Sequence, residues 1–320
     1  MKATALADPT WALSLPLSDV VADYLEALRA AGRSPRTVEW YESFLLEFIR
    51  FVERAGTSAK LADLAPPTVR RWVVALKSRS PEPAPASLAG RVRTLKAFGT
   101  WVASEYELEP HPLRGLKVPK VPDVLVRSLR DPDILRLIAA IHAHSRFPDR
   151  DLAILLLMLD TGLRVSETAT LMIRDLDLEG GRCRVMGKGS KERVVPVGRR
   201  ARKAIRRYLV ASGRFGQLDG ALFGRRGGGP LSVVGLQHLI QRIVAQSSLS
   251  VRCSPHVLRH TFARSFLANG GDVFTLQRIL GHSPASLEVT RRYVQLLDDD
   301  LREAHRRASP MDRIRWPAGL

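Results

Sequence analysis

The chain has 320 residues, enough for two domains that each bury a core, and its formal net charge is +18 with a pI near 10.9. A balance that basic points to a polyanionic partner, while Cys183 and Cys253 alone exclude a disulfide framework or a cysteine zinc cluster. The most apolar run, Leu152 to Leu159, is too short to cross a bilayer, so a soluble cytoplasmic protein is expected.

The charge is unevenly placed. There are 14 basic and 13 acidic residues through Pro110 and 36 and 19 thereafter, so almost all of the excess lies in the later part. A solvated basic surface without a partner is the plainer reading of such an excess.

Met1 to Leu17 reads as a loose leader. From Leu17 to Glu109 the apolar spacing is helical, with no credible strand. Ser18 or Asp19 can cap a first helix that Gly32 stops. Ser34-Pro35 places a cap and an N1 proline before a second, whose apolar face runs from Val38 to Val52. A third helix starts at Pro66-Pro67 and carries Val69, Trp72, Val73 and Leu76. A fourth spans Ser87 to Ser104, burying Leu88, Val92, Leu95, Phe98, Trp101 and Val102 while Arg91, Arg93 and Lys96 point elsewhere. A short basic helix after a turn can enter a major groove; an ordinary solvated face would look the same.

Glu109 to Pro122 contains four prolines, a glycine and three cations and reads as an extended connection. The second domain resumes with a helix start at Asp131-Pro132-Asp133, followed by a buried helix from Asp149 to Asp160. That helix ends at Thr161-Gly162, and Arg164 stands at the turn into the next element with Glu167 one turn along. This would hold a guanidinium near a helix end that favours an anion, although a structural Arg–Glu pair explains the same two residues.

Between Asp175 and Val197 the period switches to strands, giving a small antiparallel sheet whose second turn carries Lys188 between two glycines. Hydrophilic turn chemistry alone would also account for Gly187 to Ser190. Helices resume from Arg199 and through Ser232 to Ser247. The stretch from Pro255 to Tyr293 then holds His256, Arg259 and His260, three and four apart and so on one helical face, followed by His282 and Tyr293. A strongly donating face with a tyrosine suits a phosphodiester, with Tyr293 as nucleophile and the cations as electrostatic clamp. No Asp, Glu or Cys stands at ligand spacing with these histidines, and the consecutive Asp298–Asp300 cannot converge on one ion from a helix, so neither a metal nor another cofactor is expected.

Taken together, Thr161-Gly-Leu-Arg-Val-Ser-Glu167, Gly187-Lys-Gly-Ser-Lys-Glu-Arg193, His256-Val-Leu-Arg-His-Thr-Phe262, Leu280-Gly-His-Ser283 and Tyr293 resemble the tyrosine recombinase family, the phage integrases and Xer-type recombinases. The resemblance spans nearly the whole chain and is strongest over the second domain. It implies a mainly α protein, with an N-terminal four-helix core-binding (SAM-like) domain and a mostly helical catalytic domain holding a small three-stranded antiparallel sheet. The implied division is a leader at 1–16, the core-binding domain at 17–109, a linker at 110–123, the catalytic domain at 124–308 and a tail at 309–320.

The implied activity is site-specific recombination in integration, excision or dimer resolution. Tyr293 would form a 3′-phosphotyrosyl bond, Arg164 and Arg259 would clamp non-bridging oxygens, and Lys188 would act as general acid. His256 would assist proton transfer, His282 would bond the phosphate, and Glu167 would orient Arg164. Arg91, Arg93, Lys96 and Lys191 are candidate DNA contacts. The implied partner is double-stranded DNA, clamped by both domains, with four identical or related subunits assembled on two sites. In most relatives the tyrosine follows the Gly-His pair two residues sooner; the extra length here lies in Ser283 to Ser286.

Overall fold

The structure, a computed structural model, describes residues 9–54, 56, 58–122, 128–187, 192–225, 229–251 and 253–281. The chain divides into two compact units, Met1–Val124 and Leu125–Leu320.

The first unit is built from α1 (Leu17–Ala30), α2 (Pro35–Glu53), α3 (Pro66–Lys77) and α4 (Pro85–Glu105). Proline opens three of these helices within the first turn, where its missing N–H is no loss. At α2 the Ser34 hydroxyl also accepts from the Thr37 amide at 3.3 Å, a cap worth about 1 kcal/mol. At α1 the expected side-chain cap is absent: the helix begins at Leu17 after Pro16, with no side-chain cap bond. The apolar stripes meet around Phe48, Trp72 and Phe98, all essentially inaccessible. Trp101 reaches only the edge of that core, tilted against Tyr24 with ring centroids 5.2 Å apart.

The leader is not loose from Pro9 onward: Pro9–Ser14 forms a 3-10 turn that buries Ala12 completely and sets Trp11 edge-on to Tyr106. The proline-rich connection is not simply extended either. Its Leu113 and Leu116 enter the first core, and Leu113 N–H donates to His111 Nδ1 at 2.9 Å. Prolines remove hydrogen-bond donors from a segment but do not stop its leucines from seeking burial.

The second unit surrounds α6 (Pro148–Thr161), which is apolar on nearly every side and therefore central. Around it lie α5 (Asp131–His144), α7 (Val165–Thr170), α8 (Arg199–Ala211), α9 (Val233–Gln246), α10 (Pro255–Ala268) and α11 (Val273–Leu280). β1 (Leu176–Asp177), β2 (Arg182–Met186) and β3 (Glu192–Pro196) form the expected antiparallel sheet in the order β1-β2-β3, with Cys183 opposite Val195 and Val185 opposite Arg193. Among the described residues, no helix is long and apolar enough to cross a membrane.

Candidate active site

The site is assembled at two helix C-termini. α6 ends on Gly162 and α11 on Gly281, both left-handed with φ of 63° and 64°. Glycine adopts that conformation without the strain a Cβ would introduce. At Gly162 space forbids a side chain as well: a Cβ would lie 2.4 Å from Phe262 Cδ1 and 2.8 Å from Leu280 Cδ2.

Arg259 joins the two ends. Ser254 caps α10 and Pro255 occupies its first turn, which sends residue 259 inward one turn later. There Arg259 is 6% exposed, donating from Nη1 to the Gly162 carbonyl at 2.7 Å and from Nη2 to the Leu280 carbonyl at 2.8 Å. Helix C-termini present unsatisfied carbonyls and partial negative charge, so two of them make a fitting seat for a buried cation.

Arg164 lies two residues beyond Gly162. Its N–H donates to Glu167 Oε2 and its Nη1 to Glu167 Oε1, both at 2.8 Å. The first bond is the N3-carboxylate half of a capping box. Arg164 keeps 36% of its side chain exposed, whereas Glu167 keeps 5%. Burial by itself pushes the Glu167 carboxyl up, but hydrogen bonds from Arg193 and the Arg164 amide, with both guanidinium charges, hold it below the ordinary carboxylate value.

Arg193, to which no role is assigned from the sequence, is central to this arrangement. It donates to both Glu167 oxygens at 2.9 Å and, from Nε, to the Ile279 carbonyl at 2.8 Å. The signal was the strand period: Arg193 shares a face with the fully buried Val195, and a cation on a core face needs an anion.

The structure thus brings Arg164, Glu167 and Arg259 together. His256 is exposed on the first turn of α10 and His260 is half-buried, so the shared spacing carries these side chains to different depths. Lys188, Lys191, His282 and Tyr293, with the longer Ser283 to Ser286 stretch, lie outside the described residues. Among the candidate DNA contacts, Arg93 is exposed. Arg91 instead donates to Glu47 at 2.7 Å and lies 4.6 Å above the Phe44 ring, and Lys96 donates to the Leu116 carbonyl at 3.1 Å. Both thiols are buried, which pushes Cys183 up to about 12 and Cys253 up to about 11. They are therefore poor nucleophiles. Among the described residues no cluster of His, Cys, Asp or Glu could hold a metal ion.

The phage integrase family matches residues 127–299, more than half of the chain. The chain belongs to that family. It is 34% identical over 286 residues to the tyrosine recombinase XerC of Myxococcus xanthus, covering 87% of this chain and 93% of that protein. It is 36% identical over 278 residues to XerC of Escherichia coli O157:H7, covering 87% and 91%. Among solved structures, the Tn1549 transposon integrase in complex with a circular intermediate DNA superposes with a TM-score of 0.70 at 20% identity, over 88% of this chain and 95% of that one. A lambda integrase tetramer bound to a Holliday junction gives 0.69 at 20%, over 84% and 75%. At that identity the superpositions establish the fold. Family and relatives together establish the activity class, a tyrosine-type site-specific recombinase that cuts and rejoins DNA strands.

Proposed function

We propose that Tyr293 attacks the scissile phosphate of a DNA duplex, forming a 3′-phosphotyrosyl bond as the bond from phosphorus to the 5′-oxygen breaks. Lys188 gives its proton to the departing 5′-oxygen. His256 assists the proton leaving the tyrosine, and His282 donates a hydrogen bond to the phosphate. Arg164 and Arg259 hold the non-bridging oxygens as charge builds on them. Fixed cationic donors of this kind supply the charge stabilisation that other phosphoryl-transfer sites take from metal ions. The phosphodiester energy stays in the covalent adduct, so a second strand's 5′-hydroxyl can displace the tyrosine without a nucleotide cofactor.

The observation that carries this reading is the seating of the arginine pair. Arg259 is held by two helix-terminal carbonyls at 2.7 and 2.8 Å, and Arg164 by Glu167 at 2.8 Å. Neither guanidinium has to be organised when the phosphate arrives, and planar, preset donors suit a phosphate's geometry. The basic excess after Pro110 supports a DNA partner for the second unit. On the first unit, Arg93 is the candidate contact, because Arg91 and Lys96 are committed within the fold; Lys191 is the further candidate near Lys188.

The lambda integrase neighbour is a tetramer on a Holliday junction, which supports four subunits of this chain, or of this chain and a related one, acting on two DNA sites. The reading is tested with Lys188→Ala. Affinity for the target duplex should stay within twofold of wild type while strand cleavage is lost. Cleavage at the wild-type rate would remove Lys188 from the acid role.

A further inference from the structure

Arg193 stands at a position that the alternation of β3 reserves for the core. It shares its face with Val195 and lies across the ladder from Val185, both buried. A guanidinium there is strongly penalised unless its donors are met, and three are. Nη1 and Nη2 grip the two oxygens of Glu167, and Nε reaches the Ile279 carbonyl, with the side chain only 13% exposed. One rigid fork serves all three acceptors, which a lysine ammonium cannot do in the same geometry.

The segments tied together in this way are the ones the chemistry has to hold in register. Glu167 belongs to α7 and pairs with Arg164. Ile279 is the penultimate residue of α11, whose last carbonyl seats Arg259. A Cβ on Gly281 would come within 3.0 Å of the Arg193 guanidinium carbon, so that group lies against the backbone immediately before His282. β3 itself is the strand that follows the Lys188 turn in the chain.

We propose that Arg193 is a positioning residue for strand cleavage, setting the spacing between Arg164 at the N-cap of α7, the end of α11 and the strand that follows Lys188. It acts through Glu167 and the Ile279 carbonyl. Its Nη1, Nη2 and Nε are all taken up by protein acceptors, so it serves the site through them rather than as a clamp. The inference rests on the tyrosine chemistry proposed above and assigns Arg193 a part in it.

The test uses the full-length protein and a nicked duplex that the wild type cleaves, with single-turnover adduct formation followed on denaturing gels. Arg193→Gln and Arg193→Lys should cleave about 100-fold more slowly, as an ångström-scale misplacement does, with DNA Kd within twofold of wild type. The Glu167→Gln, Arg193→Gln double variant should be no slower than the worse single, since both residues act as one unit. A merely structural pair would lower Tm but leave the rate untouched at a temperature where every variant is folded. If Arg193→Gln does not fold, Arg193→Lys, which retains the charge, carries the measurement. Folded Arg193 variants that cleave at the wild-type rate overturn the positioning role alone. Wild-type protein that forms no adduct on any duplex overturns the tyrosine chemistry and the positioning role with it.

Discussion

Gly162→Ala tests how the seat of Arg259 is built. The residue sits at φ 63°, and an added Cβ would meet Phe262 at 2.4 Å and Leu280 at 2.8 Å. The left-handed backbone costs an alanine about 1–2 kcal/mol, and forcing a methyl into a packed core adds about 1–3 kcal/mol. Gly213, in the same unit, provides the control: its φ is 65° and nothing lies within 4 Å of a Cβ there. Gly213→Ala should therefore lose only the backbone term. For a unit of this size 1 kcal/mol moves Tm by about 2–4 °C, so Gly162→Ala should lower Tm by about 10 °C and Gly213→Ala by about 4 °C. Calorimetry on the intact protein reads both. The Gly162 carbonyl also holds Arg259 at 2.7 Å, so Gly162→Ala should slow cleavage at temperatures where it is still folded, while Gly213→Ala should not. Equal Tm losses and equal rates for the two variants would refute the claim that this glycine is required by close packing around the arginine seat.

Glu167 has a folded-state pKa held below its ordinary value, so its contribution to stability is present above the unfolded pKa of about 4.3 and is lost as pH falls through the folded value. The Tm gap between wild type and Glu167→Gln should then be wide at pH 7 and narrow well below pH 4; an unchanged gap across that range would contradict the assignment. On the first unit, Arg93→Ala should weaken DNA binding and reduce the salt slope by about 1. Arg91→Ala should instead destabilise the unit by about 1–2 kcal/mol through lost contact with Glu47 and Phe44, leaving the salt slope as it was. The reverse pattern would exchange their roles.

Local chemistry made much of the fold legible. Ser34-Pro35 placed α2 and Pro66-Pro67 placed α3, and the strand period between Asp175 and Val197 found the three-stranded sheet. The Arg164–Glu167 contact followed from helix spacing and was found at 2.8 Å. What escaped were contacts between residues far apart in the chain. Arg259 reaches Gly162, 97 residues away, and Arg193 reaches Ile279, 86 away; no local pattern encodes which carbonyl a guanidinium will meet. Arg193 was half-legible, since its period placed it inside, but its partner lies on another element. The same limit applies to Arg91, whose anion sits 44 residues earlier on α2. Leu113 and Leu116 were hidden by the prolines around them, which describe backbone restriction and say nothing of burial.

Covalent trapping tests the assignment of Tyr293 as nucleophile. Nicked duplexes from the flanks of the protein's own gene are incubated with wild type and Tyr293→Phe, quenched in detergent and resolved on a denaturing gel. A protein–DNA adduct should form in the wild type and be absent from Tyr293→Phe, with DNA binding equal in both. An adduct that survives Tyr293→Phe would mean that another residue is the nucleophile, and the assignment of Tyr293 would be wrong.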